Sequence, residues 1–155
     1  MGIVLRMYGD TSAIRHRARE LRRLADEVRA DADLLAGRSA AVPWQGLAAE
    51  AMRAAAGARV TGLRRAADLH DDAAAALDQH ADAVDRVKRL IAAIEHKVMS
   101  LVAAARDRLS GLVGLVGAVI DPADEWLDRF VPPPSGHRDW LTVHVPGLDL
   151  GALAA

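Results

Sequence analysis

The sequence predicts an all-α chain, and three observations carry that expectation. Apolar residues make up 52% of the 155 positions while aromatics make up only 3%, so buried surface has to come mainly from Ala, Leu and Val in close helix–helix contact. Two long tracts, roughly 11–36 and 47–109, repeat apolar residues at steps of three and four. No proline interrupts the chain between Pro43 and Pro122.

The first helix follows an irregular arm, 1–10, and has Asp10, Thr11 or Ser12 available as N-cap. Ile14, Ala18, Leu21, Ala25, Val28, Ala32 and Leu35 then alternate by four and three, a seam of the coiled-coil type. Arg15, Arg19, Arg22 and Arg29 flank it, and Gly37 is placed to close the helix near residue 36. In the second tract the seam runs through Val60, Leu63, Ala67, His70, Ala74 and Leu77, then His80, Val84, Val87, Ile91, Ile94, Val98 and Leu101. Gly57 and Gly62 weaken it, so a kink is expected near Gly62 or around His70-Asp71-Asp72. The second tract outruns the first, which leaves apolar surface for a C-terminal extension or a partner to cover.

Between the tracts lies 41-AVPWQGLAAEAM-52. Pro43 cannot continue a helix and biases Val42 to extended geometry. Trp44 offers a large apolar body to plug the open end between two antiparallel helices. Gly46 lets the backbone pass close to that indole and start the second helix. The expectation is a helical hairpin over 11–108 whose turn, Pro43, Trp44 and Gly46, is locked by the tryptophan.

Residues 109–155 read as an extension. The segment 109-LSGLVGLVGAVI-120 is apolar all round with Gly111, Gly114 and Gly117 at every third position, and reads as a short packed helix. Its length, about 12 residues, falls short of the roughly 20 a helical membrane span needs. Asp121-Pro122 reads as N-cap and first residue of another short helix bearing Trp126, Leu127 and Phe130. Pro132-Pro133-Pro134-Ser135-Gly136 follows as an extended linker. Beyond it, 140-WLTVHV-145 alternates like a strand, as does 3-IVLRMY-8, and the two could pair.

Composition narrows the chemistry. A net charge of −1 gives no pull toward nucleic acid or anionic lipid. The arginines of 15-RHRARELRR-23 have no aromatic interleaving and read as a solvated flank, so no nucleic-acid partner is expected. The absence of Cys excludes disulfides, thiolate sites and a cysteine nucleophile. His70, Asp71, Asp72, Asp78, His80, Asp82 and Asp85 form the densest group of possible ligands, yet without a His pair at i, i+4 or a His-Glu-x-x-His they read as no metal site. No nucleophile elbow or phosphate-cradling loop occurs, so no catalytic residue and no cofactor are expected. The Arg-over-Lys and Ala-rich composition suggests an actinobacterial source. MGIVLRMYGD lacks an apolar core long enough for a signal peptide and a cleavage site.

Trp44-Gln45-Gly46, followed by Ala49 and Met52 and placed between two seam-bearing helices, resembles the turn of the WxG (ESAT-like) family of type VII secretion substrates, over roughly residues 10–100. The resemblance implies a non-catalytic helical hairpin that dimerises with itself or a similar protein into a four-helix bundle. It also implies synthesis in the cytoplasm, export without a signal peptide, residence outside or on the cell envelope, and the secretion machinery as a further partner. The family pairs its turn with a Tyr-x-x-x-Asp/Glu, but four residues after Tyr8, the sole Tyr, stands Ser12. That signal is therefore expected in trans or replaced. The association seam expected on this reading is Ile14, Leu21, Val28, Leu35, Leu63, Leu77, Val84, Val87, Ile91, Ile94 and Val98. Alternative expectations are a membrane-active effector that uses 109–120 against a membrane surface, or the N-terminal targeting module of a larger toxin.

Overall fold

The computed structural model describes residues 9–115, 117 and 119–150. Its described elements are three α-helices, α1 (Thr11–Ala41), α2 (Leu47–Leu112) and α3 (Pro122–Asp128), and a 3-10 helix at Arg138–Thr142. The chain is all-α. It packs as two units, Asp10–Ala83 and a second that joins Gly9 to the described residues from Val84 onward.

In the first unit α1 starts where its cap allows: the Asp10 carboxylate accepts from the Ser12 amide at 2.9 Å. It does not stop at Gly37 as expected but continues to Ala41, with Val42 extended as C-cap. Glycine only permits a stop, whereas Pro43 enforces one by pushing the preceding residue out of helical geometry. Ala18, Ala25 and Ala32 of α1 are fully buried, as are Ala67, Ala74 and Ala81 of α2. Rows of alanine a heptad apart let two helix backbones approach closely. The links between the helices run in opposite chain order: Arg15 to Asp82, Arg22 to Asp78, Arg29 to Asp71 and Asp68, and Asp33 to Arg64. The helices are therefore antiparallel within this unit.

The helical bonding of α2 continues unbroken through Gly57, Gly62 and His70-Asp71-Asp72. Its residues beyond Ala83 belong to the second unit, so the packing boundary falls inside the expected 11–108 hairpin. There Ile91, Ile94, Val98, Val102 and Ala105 are buried together with Leu127, Trp140 and Val145. The C-terminal elements thus cover the apolar surface that the longer helix would expose.

Asp121 caps α3 through the Ala123 amide at 2.8 Å, with Pro122 at the helix start. The aromatic rings line up, Trp126 to Phe130 at 5.3 Å and Phe130 to Trp140 at 6.2 Å between centroids. The Trp140 indole N–H donates to the Pro134 carbonyl at 3.0 Å, and the Gly136 amide donates to Glu95 at 2.9 Å, so the proline-rich segment is tied down at both points.

Two expectations for the extension are corrected. The segment 140–145 is no strand: Trp140 to Thr142 lie in the 3-10 helix, and an isolated antiparallel bridge joins Val145 to Leu148. A strand needs a ladder partner, and the described residues supply none; 3–8, the expected one, lies outside them. Among the described residues the separate packed helix expected over 109–120 is also not formed: 109–112 are the end of α2, and Gly114 and Gly117 take φ of 92° and 83°. Glycine tolerates that left-handed backbone, and it ends a helix rather than packing one.

Candidate association surface

The alanine rows organise the first unit's cross-section. On α1, Ile14, Leu21, Val28 and Leu35 each fall about 50° to one side of the row Ala18, Ala25, Ala32, and Arg15, Arg22 and Arg29 fall about as far to the other. On α2, Leu63, His70 and Leu77 flank the row Ala67, Ala74, Ala81 on one side, and Asp71 and Asp78 flank it on the other. Arg22 reaches Asp78 at 2.6 Å and Arg29 reaches Asp71 at 2.5 Å, so the two charged flanks share one side of the pair. The two apolar flanks must then share the opposite side.

That apolar side is open. Ile14, Leu21, Val28, Leu35, Leu63, His70 and Leu77 are all half-buried, and Leu24 and Leu69 beside them are exposed. The inter-helix contact consumes alanines and leaves the larger residues in partial contact with water. The other predicted seam residues divide: Val84 and Val87 are half-buried, whereas Ile91, Ile94 and Val98 are buried by the chain's own C-terminal residues. Those three are corrected from association seam to internal core. His80 also leaves the seam; it is exposed, and Ala81, the next residue, occupies the slot. The Nδ1 of His70 lies 2.8 Å from the Ala66 carbonyl of its own helix.

The charged side does more than the sequence showed. Arg15, Arg22 and Arg29 remain partly in water but also bridge to α2, and they occupy Asp71, Asp78 and Asp82, three members of the group weighed as metal ligands. Their seven-residue spacing was the available signal. Two carboxylates, Asp71 first and then Asp68, hydrogen-bond the Arg29 guanidinium and push its pKa further above its already high ordinary value. Among the described residues no group of three or more His, Asp or Glu is placed to hold a metal ion.

At the turn the plug is corrected. Trp44 is 57% exposed and Leu47 is 85% exposed. Alanines at the contact bring the helices too close to leave a gap that an indole could fill. The turn is held instead by Arg53, whose guanidinium donates to the carbonyls of Val42 at 3.0 Å and Trp44 at 2.7 Å. Gly46 behaves as expected: its carbonyl accepts the first α2 hydrogen bond, from Glu50 at 3.1 Å, and its φ of 95° requires glycine. Pro43 is exposed at the same bend.

In the second unit an open cleft of about 480 Å³ is lined by Leu90, Ile94, Leu141, Val143, Leu148 and Leu150, with His144 and Asp149 among its walls. It offers a single imidazole and a single carboxylate against an otherwise apolar lining, which suits apolar contact better than bond-breaking chemistry. No family model, curated protein or solved structure matches the chain.

Proposed function

We propose that the chain is a non-catalytic helix-association protein, a type VII secretion substrate or adaptor of the WxG kind, which pairs with a second copy or a similar helical hairpin into a four-helix bundle. One observation carries this reading: the antiparallel α1–α2 pair has a bridged charged side and an open apolar side. The partner fills the open side, covering Ile14, Leu21, Val28 and Leu35 of α1 and Leu63 and Leu77 of α2. The rows run the length of the pair and contain no group that needs a specific polar partner apart from His70, so another amphipathic helix pair matches them in kind.

Kinship to the WxG family is supported by the place of Trp44-Gln45-Gly46 between α1 and α2, not by burial of the ring. With Trp44 and Leu47 outward at the bend, the turn presents an apolar contact to a partner or to the export machinery.

Light scattering tests the association. The chain alone, or mixed with the product of the neighbouring gene, is expected at the mass of a dimer, and the Leu21→Asp/Leu77→Asp variant at that of a monomer. A monomeric mass at every concentration and with that candidate partner overturns the reading.

A further inference from the structure

The two sides of the α1–α2 pair share one register. Arg22 meets Asp78 and Arg29 meets Asp71, so seven residues forward on α1 match seven back on α2. On the apolar side the same register sets Leu21 at the level of Leu77, Leu35 at that of Leu63, and Val28 at that of His70. His70 is thus a titratable ring set within aliphatic rows, half-buried in the single chain. A partner that covers Leu63 and Leu77 covers the ring between them.

One edge of that ring is already committed. Its Nδ1 lies 2.8 Å from the Ala66 carbonyl, which only accepts, so Nδ1 carries the proton of the neutral imidazole and Nε2 keeps its lone pair. Among the described residues no group hydrogen-bonds Nε2. The neutral ring brings a single weak acceptor under the partner. A second proton, on Nε2, brings a full charge and a new donor among leucines and valines that offer no acceptor, and removing such a charge from water is costly.

The charged groups around the ring leave that charge unanswered. On α1 the next groups round this side are Asp31, which is exposed, and Glu27, which is bridged to Arg23 at 3.6 Å. Arg29, Asp68 and Asp71 are joined to one another on the opposite side of the pair. On α2, Asp72 is exposed about 160° round the helix from His70, and Arg59 and His80 stand about three turns away.

We propose that His70 makes the association face acid-sensitive: resting on the dimer proposed above, with a second copy as the partner, the chains pair while the ring is neutral and separate as acid protonates it. Pairing excludes the protonated ring, so the dimer is at full strength above the ordinary imidazole range and weakens as pH falls through it. Two rings are covered in a homodimer. With each proton bound only in the free chain, at ordinary imidazole affinity, the dissociation constant rises about a hundredfold from about pH 7.5 to about pH 5.5.

Sedimentation equilibrium of the full chain at those two pH values tests this, in about 500 mM sodium chloride so that repulsion between the other protonated histidines is screened. Wild type is expected to lose at least about tenfold in affinity on acidification. His70→Leu is expected to change by less than about threefold and to be the tighter dimer at the lower pH, with an unchanged helical circular dichroism spectrum. His80 is exposed outside the rows, so His80→Leu removes the same charge elsewhere and is expected to keep the wild-type response. Three outcomes overturn the proposal and leave the association reading standing: a wild-type dimer of unchanged affinity, a His70→Leu dimer as acid-sensitive as wild type, or a dimer that tightens in acid because a carboxylate of the other copy accepts from Nε2. A chain that is monomeric at both pH values instead overturns the second copy as partner, and the acid response with it.

Discussion

Two tryptophans show how much a side chain's surroundings outweigh its type. Trp44 stands 57% exposed at the bend, while Trp140 is 1% exposed and hydrogen-bonded through its indole nitrogen to Pro134. Truncating Trp44 to Ala removes little buried surface and is expected to change stability by no more than about 0.5 kcal/mol. Trp140→Ala empties the centre of the second unit's core and is expected to cost about 3–5 kcal/mol. Urea denaturation of both variants measures the contrast, and a loss at Trp44 as large as that at Trp140 would restore the plug to the turn. The sequence alone placed Trp44 as the plug of the turn and said nothing of burial at Trp140. It showed that Trp44 sits at a proline-enforced bend, but not that alanine rows would close the space behind it. Nor did it show that Arg53, nine residues further along, would bind the turn's carbonyls. That contact depends on the second turn of α2 lying within reach of the bend, which no local pattern encodes. Heptad-spaced Ala18, Ala25 and Ala32 were legible because periodicity is local; their sole occupancy of the contact was not, because it depends on how near the opposing helix comes.

At the scale of elements, starts were easier to read than stops. Asp10 and Asp121-Pro122 open α1 and α3 where the sequence placed them, because a cap acts on amides two residues away. Stops depended on competition: α1 runs past Gly37 to the proline, and the helical bonding of α2 runs past Gly57 and Gly62. Gly57 and Gly62 are tolerated within α2 because Val60, Ala67 and the following seam residues hold the helix from one side. Both glycines are exposed, and a methyl group added at either meets nothing within 4 Å. Gly57→Ala and Gly62→Ala are therefore each expected to stabilise the chain by about 0.5–1 kcal/mol, by lowering the entropy lost on forming the helix. Thermal melts of the single variants check this, and a destabilising effect at either position would show that the glycine serves a contact made only with a partner. The alternation of 140–145 misled for a related reason: the apolar pattern does not become alternate burial, since Leu141 is exposed while Trp140 and Val145 are buried, and a 3-10 turn has a three-residue period.

For the whole molecule, the antiparallel pair assigns different forces to its two sides. Charge pairs between α1 and α2 act within one chain, on the side away from the proposed partner, whereas the partner meets aliphatic rows. Salt screens exposed ion pairs and leaves apolar burial nearly untouched. If the dimer forms as proposed, its melting temperature rises with protein concentration by mass action. Its dissociation constant is expected to move by less than about threefold between about 50 and 500 mM sodium chloride. The net charge of −1 reinforces this, since two copies carry almost no long-range repulsion for salt to relieve. The monomeric Leu21→Asp/Leu77→Asp variant retains the bridges and loses the face, so its melting temperature is expected to be independent of concentration and to fall as salt rises. Arg29→Ala does the reverse: it removes the links to Asp68 and Asp71, lowers the melting temperature, and leaves the dimer mass intact. Analytical ultracentrifugation across the salt series, with melts at two concentrations, reads all three forms. A dimer that dissociates steeply with salt, or one that Arg29→Ala abolishes while Leu21→Asp/Leu77→Asp preserves it, would place the partner on the charged side of the pair instead.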